Sequence, residues 1–176
     1  MMITGGYAQE MARYNRWQNN QLAEFLQSLT PKELTLERGA FFGSIMGTVN
    51  HLLWGDWMWM SRFEKRDGPD GNFHKAGGGI HESVYLCPDL QSWLALREKI
   101  DARILNWAEG LGDDPLTGSF TWYSAAKEAD VTMPYALCVI HFFNHQTHHR
   151  GQVHKMLTET GSEAPVSDIV FMPQEV

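Results

Sequence analysis

Residues 133–159 read MPYALCVIHFFNHQTHHRGQVHKMLTE, and five of the chain's eight histidines fall between His141 and His154. Met133-Pro134 opens a helix here, because proline suits a first helical turn. Gly161 stops it just after Glu159. Within that helix His141, His145 and His149 stand at four-residue steps, and Gln152 follows one turn on. Four residues advance about 400°, so these side chains point nearly the same way, ~6 Å apart along the axis. The row runs into Leu137 at one end and Met156 at the other, so a polar stripe replaces part of the apolar seam that faces a core. Unpaired imidazoles in such a place cost about 1–3 kcal/mol each. A divalent metal satisfies them, since two histidines at i and i+4 grip one ion from a single helix face. A surface histidine cluster without function is the competing reading.

Working outward, the apolar period extends to three further helices. Tyr7, Met11, Tyr14, Gln18, Leu22, Phe25 and Leu29 recur at three- and four-residue steps, which predicts an amphipathic helix ending at Leu29. Thr30-Pro31-Lys32-Glu33 then forms a capping box with proline in the first turn. Gly39 to Gly43 breaks the chain again. Ser44 caps a second long helix with Ile45, Val49, Leu52, Leu53, Met60 and Phe63 on its apolar side. Asp67 to Pro88 is a Gly-, Pro- and Asp-rich loop around Gly77-Gly78-Gly79. Pro88-Asp89 starts a third helix, in which Leu90, Trp93, Leu94, Arg97, Ile100, Ile104, Leu105 and Trp107 keep helical spacing to about Leu111. Residues 113–133 lose that period, and Phe120-Thr121-Trp122-Tyr123 with Val131-Thr132-Met133 reads as a small hairpin or irregular crossover. The apolar Ile169-Val170-Phe171-Met172 of the tail is expected to pack back. Four helices of roughly 20–25 residues, with two long connections, make an all-α four-helix bundle.

Composition narrows the function. The 176 residues fit one domain spanning 1–176, with 43% hydrophobic and 20% charged residues. A formal charge of −7 lacks the surplus that neutralises phosphates, which argues against nucleic acid. Cys87 and Cys138 set neither a disulfide framework nor a cysteine-based zinc site, and Cys138 sits among apolar residues as an inert thiol. No signal peptide is visible, and the apolar neighbourhood from Leu52 to Met60 is interrupted by Gly55 and Asp56, so no membrane partner is expected. The expectation is a soluble, cytoplasmic protein. Seven tryptophans are an excess, and Trp54, Trp57, Met58 and Trp59 spread around the second long helix. That spread leaves part of the surface exposed, buried by another subunit or folded over by the loops, and a homodimer built through helix faces is the expectation.

His51, in Thr48-Val49-Asn50-His51-Leu52-Leu53, is the one histidine of the N-terminal half that lies on a predicted helix. In an antiparallel arrangement its helix brings it opposite the histidines of the last one. Three neutral imidazoles with an open fourth position describe a catalytic rather than a structural zinc. The carboxylate-bridged di-iron plan fails because no glutamate has a histidine three residues later. The zincin motif fails because Gln146 follows the first histidine of the pair. His74, His81 and His154 read as solvated or hydrogen-bonded residues. Spacing alone does not choose between the pairs His141/His145 and His145/His149.

Asn144-His145-Gln146-Thr147-His148-His149-Arg150-Gly151-Gln152-Val153-His154, preceded by His141, resembles the signature of the DinB-like (DinB/YfiT) superfamily. Tyr14-Asn15-Arg16-Trp17, Phe41-Phe42-Gly43-Ser44-Ile45 and Asn50-His51-Leu52-Leu53-Trp54-Gly55-Asp56 agree with it, in the right order over nearly the whole chain. The resemblance implies a bundle in up-down-down-up order. It also implies one divalent metal held by His51, His145 and His149. His141, Asn144, His148 and Gln152 then become candidates for the support of the ligands or the pocket wall. Asp56 either orients a ligand or solvates its helix, and Arg150 pairs with a carboxylate or caps the structure.

Some relatives resemble transferases or isomerases that use a low-molecular-weight thiol. The leading expectation is therefore a metal-dependent enzyme in which zinc, or nickel or iron, binds a thiol as thiolate next to a small-molecule substrate. Hydrolysis is the alternative reaction, with His148 or Asp56 as candidate base. A metal-binding module without catalysis and a structural metal that tightens the bundle are the alternative roles.

Overall fold

Thr4, Ser44 and Asp89 stand in extended backbone and accept amide hydrogen bonds from Tyr7 (3.2 Å), Gly47 (3.0 Å) and Ser92 (2.8 Å). Each takes up one of the amides that a helix start leaves unpaired, so these three residues set where three long helices begin. The computed structural model describes residues 2–65, 79–124, 127–161 and 163–175. Its helices are α1 (Gly5–Gln27), α2 (Pro31–Thr35), α3 (Ile45–Phe63), α4 (Leu90–Gly110), α5 (Asp113–Leu116) and α6 (Tyr135–Thr158). The capping box closes on α2, with the Glu33 carboxylate accepting from the Thr30 amide at 2.7 Å. Strands β1 (Ser119–Ser124) and β2 (Ala129–Pro134) form the hairpin before α6, with Phe120 opposite Met133 and Trp122 opposite Val131.

Contacts between helices fix their directions. Tyr7 meets Phe143 edge-on and Asn15 meets Arg150, so α1 and α6 run the same way. The Trp93 indole donates to the Val49 carbonyl (3.0 Å), Arg97 pairs with Asp56 (2.7 Å) and Arg103 with Glu64 (2.8 Å), so α3 and α4 also run together. Gly5 bonds to Asp113 while Asn19 bonds to Asp101, which makes α1 antiparallel to α4. His51 lies against His149 and Phe63 against Tyr135, which makes α3 antiparallel to α6. The order is therefore up-down-down-up around a core that includes Ile45, Leu53, Met60, Trp93, Ile104, Phe142 and Leu157. No helix among the described residues is long and apolar enough to cross a membrane.

One layer of that core is ionic. Asp56 of α3 accepts from Arg97 of α4 at 2.7 Å and from the Gln146 carboxamide of α6 at 2.9 Å. Arg97 also pairs with Asp101 at 2.8 Å, and Asp101 accepts from Asn15 (3.3 Å) and Asn19 (2.9 Å) of α1. Asn15 passes the network on to Arg150 of α6, whose guanidinium also lies 5.5 Å from the Tyr14 ring. All seven side chains are buried.

Three expectations need correction. Trp54, Trp57 and Trp59 are all buried within the chain, because α4, α6 and the β1–β2 hairpin enclose α3 on nearly every side. The exposed aromatic belt that predicted a homodimer is therefore not there. The tail does pack back, yet through its backbone: Tyr14 donates to the Ser167 carbonyl (2.6 Å) and Gln18 to the Val166 carbonyl (2.7 Å). Its apolar side chains face outward, with Val170 80% and Phe171 68% exposed. Leu137 and His141 are exposed too, so the polar stripe of α6 enters the bundle only from His145 onward. The loop expected from Asp67 lies largely outside the described residues, as does His74.

The ionic layer makes a direct prediction about stability. Arg97→Met strands two buried carboxylates and should lower unfolding free energy by about 3–5 kcal/mol in chemical denaturation. Lys155→Met, which removes an exposed partner of Glu159 within α6, should change it by less than about 1 kcal/mol.

Candidate metal centre

His51, His145 and His149 each bring one ring nitrogen to a common point, with the three ligand atoms within 4.8 Å of one another. His51 comes from α3 and the other two from successive turns of α6. The His51 and His145 Nε2 atoms are 3.2 Å apart. Two nitrogens at ~2.0–2.1 Å from a tetrahedral zinc lie about 3.3 Å from each other, so the spacing fits one ion between them.

Neighbouring side chains decide which nitrogen each ring offers. The Ser83 hydroxyl donates to the Ile80 carbonyl (2.5 Å), so toward His51 it acts as acceptor. His51 Nδ1, 2.8 Å away, therefore carries the proton and Nε2 is left as a lone pair. Gln152 does the same for His149: its Oε1 accepts from Nδ1 at 2.9 Å, and its amide donates to His148 Nε2 at 3.1 Å. Such partners fix tautomer and ring orientation before a metal arrives.

Burial tunes the same groups. It pushes His51 down to about 4, helped by His149, and His145 down to about 3, helped by His149, His51, His141 and His148. His149 is lowered by burial as well, with the Gln152 bond acting against it. All three rings are thus neutral near pH 7, the form a metal ligand needs.

The chain makes room for this cluster at two glycine positions. A Cβ at Gly55 would lie 2.7 Å from His145 Cε1, so only glycine lets that ring lie on the α3 backbone. Gly39 (φ +68°) and Gly43 (φ +74°) bracket the tight turn at Ala40–Gly43, in a backbone region that disfavours side chains. That turn aims Phe42 at the site, stacked on His51 with centroids 3.8 Å apart and edge-on to His149 at 5.4 Å.

The other expected residues divide. Gln152 and His148 adjoin the cluster as described. His141 packs against Trp59 (5.3 Å) with its ring 6.0 Å from His145. Asn144 is exposed and donates to the Ile140 carbonyl of its own helix, away from the imidazoles. Asp56 is neither a solvated residue nor in contact with a ligand; it is wholly buried in the ionic layer. Arg150 meets Asn15 rather than a carboxylate. The β1–β2 hairpin packs on Trp59, Phe63 and Tyr135, near the start of α6. His81 is exposed and His154 half-buried.

Ser83, Phe42 and Gly55 are the residues that sequence reading missed. Gly55 and Phe42 carried signals, and Ser83 did not. A glycine inside an apolar helix costs about 1 kcal/mol against alanine and marks a close approach. Two glycines around Phe41-Phe42 mark a turn built to place them. Asn50, next to His51, holds the chain near Ser83 by donating to the Val84 (2.8 Å) and Cys87 (3.0 Å) carbonyls.

The model of the DinB family matches residues 2–175, and the chain belongs to that family. No match was found among curated proteins.

Two substitutions and one titration test this site. Gly55→Ala should keep or raise the thermal stability of metal-free protein, since alanine is the better helix former, yet weaken zinc binding at least tenfold in competition with a chelator. Ser83→Ala should weaken it by 10–100-fold without changing the fold. In metal-free protein, His51 and His145 take up protons at about 4 and 3 when folded, and near 6.5 when unfolded. Below pH 6.5 the unfolded chain binds protons that the folded site refuses, so stability falls as pH drops from 6.5 toward 4. The slope should reach up to about 1.4 kcal/mol per pH unit for each imidazole. Urea melts from pH 7 to 4.5 should show it, and the His51→Gln/His145→Gln protein should show a shallower fall.

Proposed function

We propose that this DinB-family protein is a metal-dependent transferase that binds one divalent ion through His51, His145 and His149 and joins a small-molecule thiol to an electrophilic partner. The observation that carries the reading is the convergence of three neutral imidazoles, two of which, His51 and His149, have Nδ1 held by Ser83 and Gln152. No fourth protein ligand stands with them among the described residues. Zinc suits this donor set, and nickel or iron are the alternatives.

A divalent ion with three neutral ligands and an open position favours the thiolate form of a thiol placed there. The chain's own residues supply the rest. Phe42 and Trp54 both stack on the His51 ring, with centroids 3.8 and 5.7 Å away, and give that ligand an apolar surround. His148, exposed at the rim with its ring 4.8 Å from that of His149, takes the proton that the thiol gives up on Nε2, in exchange for the Gln152 amide bond it accepts there. Gln152 thus serves both His149 and His148. Asp56 acts through position alone, by fixing Gln146 beside His145.

Elemental analysis of protein purified without a histidine tag should find one divalent ion per chain. His51→Ala, His145→Ala and His149→Ala should each abolish tight binding. In cobalt-substituted protein, small thiols should add a sulfur-to-metal charge-transfer band, and His148→Ala should weaken that response several-fold while leaving metal content unchanged. A cobalt spectrum indifferent to every added thiol, hydroxide and carboxylate would identify a closed site and a structural metal instead.

A further inference from the structure

A groove of about 410 Å³ runs from the histidine cluster toward the end of α6. Arg38 and Phe41 form one wall, His148, Gln152 and Lys155 the other, and Met156 lies at its base. It adjoins the metal centre directly, since Gln152 is bonded to His149, and Phe41 packs on the Phe42 that covers His51. The groove is the natural seat for whatever part of a ligand extends away from the reacting end.

Its chemistry differs from the rest of the surface. The chain carries a formal charge of −7, yet the charged side chains lining the groove are Arg38 and Lys155, with no carboxylate among them. Arg38 is anchored by one end only, with Nη2 donating to the Glu33 carbonyl at 3.2 Å, and its side chain lines the groove. The carboxylates nearby already have partners: Glu37 accepts from the Gly39 amide at 2.7 Å and Glu33 from the Thr30 amide at 2.7 Å. Glu159 pairs with Lys155 itself through two exposed side chains, so a bound carboxylate takes Lys155 over from a solvent-screened ion pair. Phe41 is 76% exposed, a ring held in water at the groove's mouth by a glycine-bracketed turn. Two cations flanking an exposed aromatic ring and a methionine suit an organic anion with an apolar body.

We infer that the groove selects small organic acids, holding a carboxylate between Arg38 and Lys155 and an aryl or alkyl body against Phe41. This names a substrate class for the proposed transferase and rests on that reading only for which end of the ligand reacts.

The test needs neither thiol nor turnover. Zinc-loaded protein is titrated calorimetrically with 4-phenylbutyrate and with 4-phenyl-1-butanol, which share a body and differ in charge. The acid should bind about tenfold more tightly at low salt. Arg38→Gln/Lys155→Gln should close that gap to within twofold, and Phe41→Ala should weaken both compounds alike. The preference should persist in chelator-treated protein, which places the carboxylate in the groove and not on the metal. Equal affinities, no binding of either compound, a preference that survives the double substitution, or one lost with the metal would each overturn the inference. A missing thiol band in the cobalt protein would count against the transferase reading and leave this result standing.

Discussion

The arrangement rests on one buried ionic layer. Asp56, Arg97 and Asp101, joined through Asn15 to Arg150 and directly to Gln146, take one or more side chains from each of the four long helices. A wholly apolar core would let these helices slide or rotate against each other at modest cost, because Leu, Ile and Met repack readily. Buried charges allow no such drift. Any shift that separates Arg97 from its carboxylates leaves ions in low dielectric without partners. We read the layer as the device that selects one register of the bundle.

The histidine cluster inherits that register. On α6, Gln146 and Arg150 directly follow His145 and His149, and on α3 Asp56 lies beside Gly55. When Gln146 donates to Asp56, the α6 backbone is set so that His145 lies over Gly55. When Arg150 meets Asn15, His149 is turned the opposite way, toward His51. The two networks alternate along one helix, one bonding Asp56 of α3 and Asn15 of α1, the other meeting His51 of α3 and Phe42 of the 38–43 turn. Support for the imidazoles then comes from chain segments outside the bundle. Ser83 reaches His51 only because Asn50 holds the 84–87 backbone to α3.

Much of this was legible in the sequence. Thr30, Ser44 and Asp89 announced their helix starts, because a cap acts on amides two or three residues away. The spacing of His145 and His149, with His51 on a predicted helix, pointed to a shared ion, and the DinB-like signature chose that pair over His141 and His145. Local patterns did not report what depends on long-range packing. Trp54, Trp57 and Trp59 spread around α3 and so seemed to need solvent or a partner, yet α3 is buried on nearly all sides. Asp56 and Arg97 lie 41 residues apart, and nothing in either neighbourhood states that they meet. Ser83 sits in a short turn with no helical period, so its role as orienter of His51 had no periodic signature.

The contrast between the two networks explains why one is structural and the other reactive. In the ionic layer every charge faces an opposite charge or a carboxamide. In the histidine cluster burial has driven the rings neutral, and two Nε2 atoms stand 3.2 Å apart with His51's lone pair turned inward. Lone pairs gathered so closely are unfavourable until an electrophile stands between them, and proton entry is opposed by desolvation and by the neighbouring imidazoles. A metal ion offsets its own desolvation by coordinating all three imidazoles at once. The fold thus spends its compensating charges on register and leaves its uncompensated donors at one point, beside a groove open to solvent.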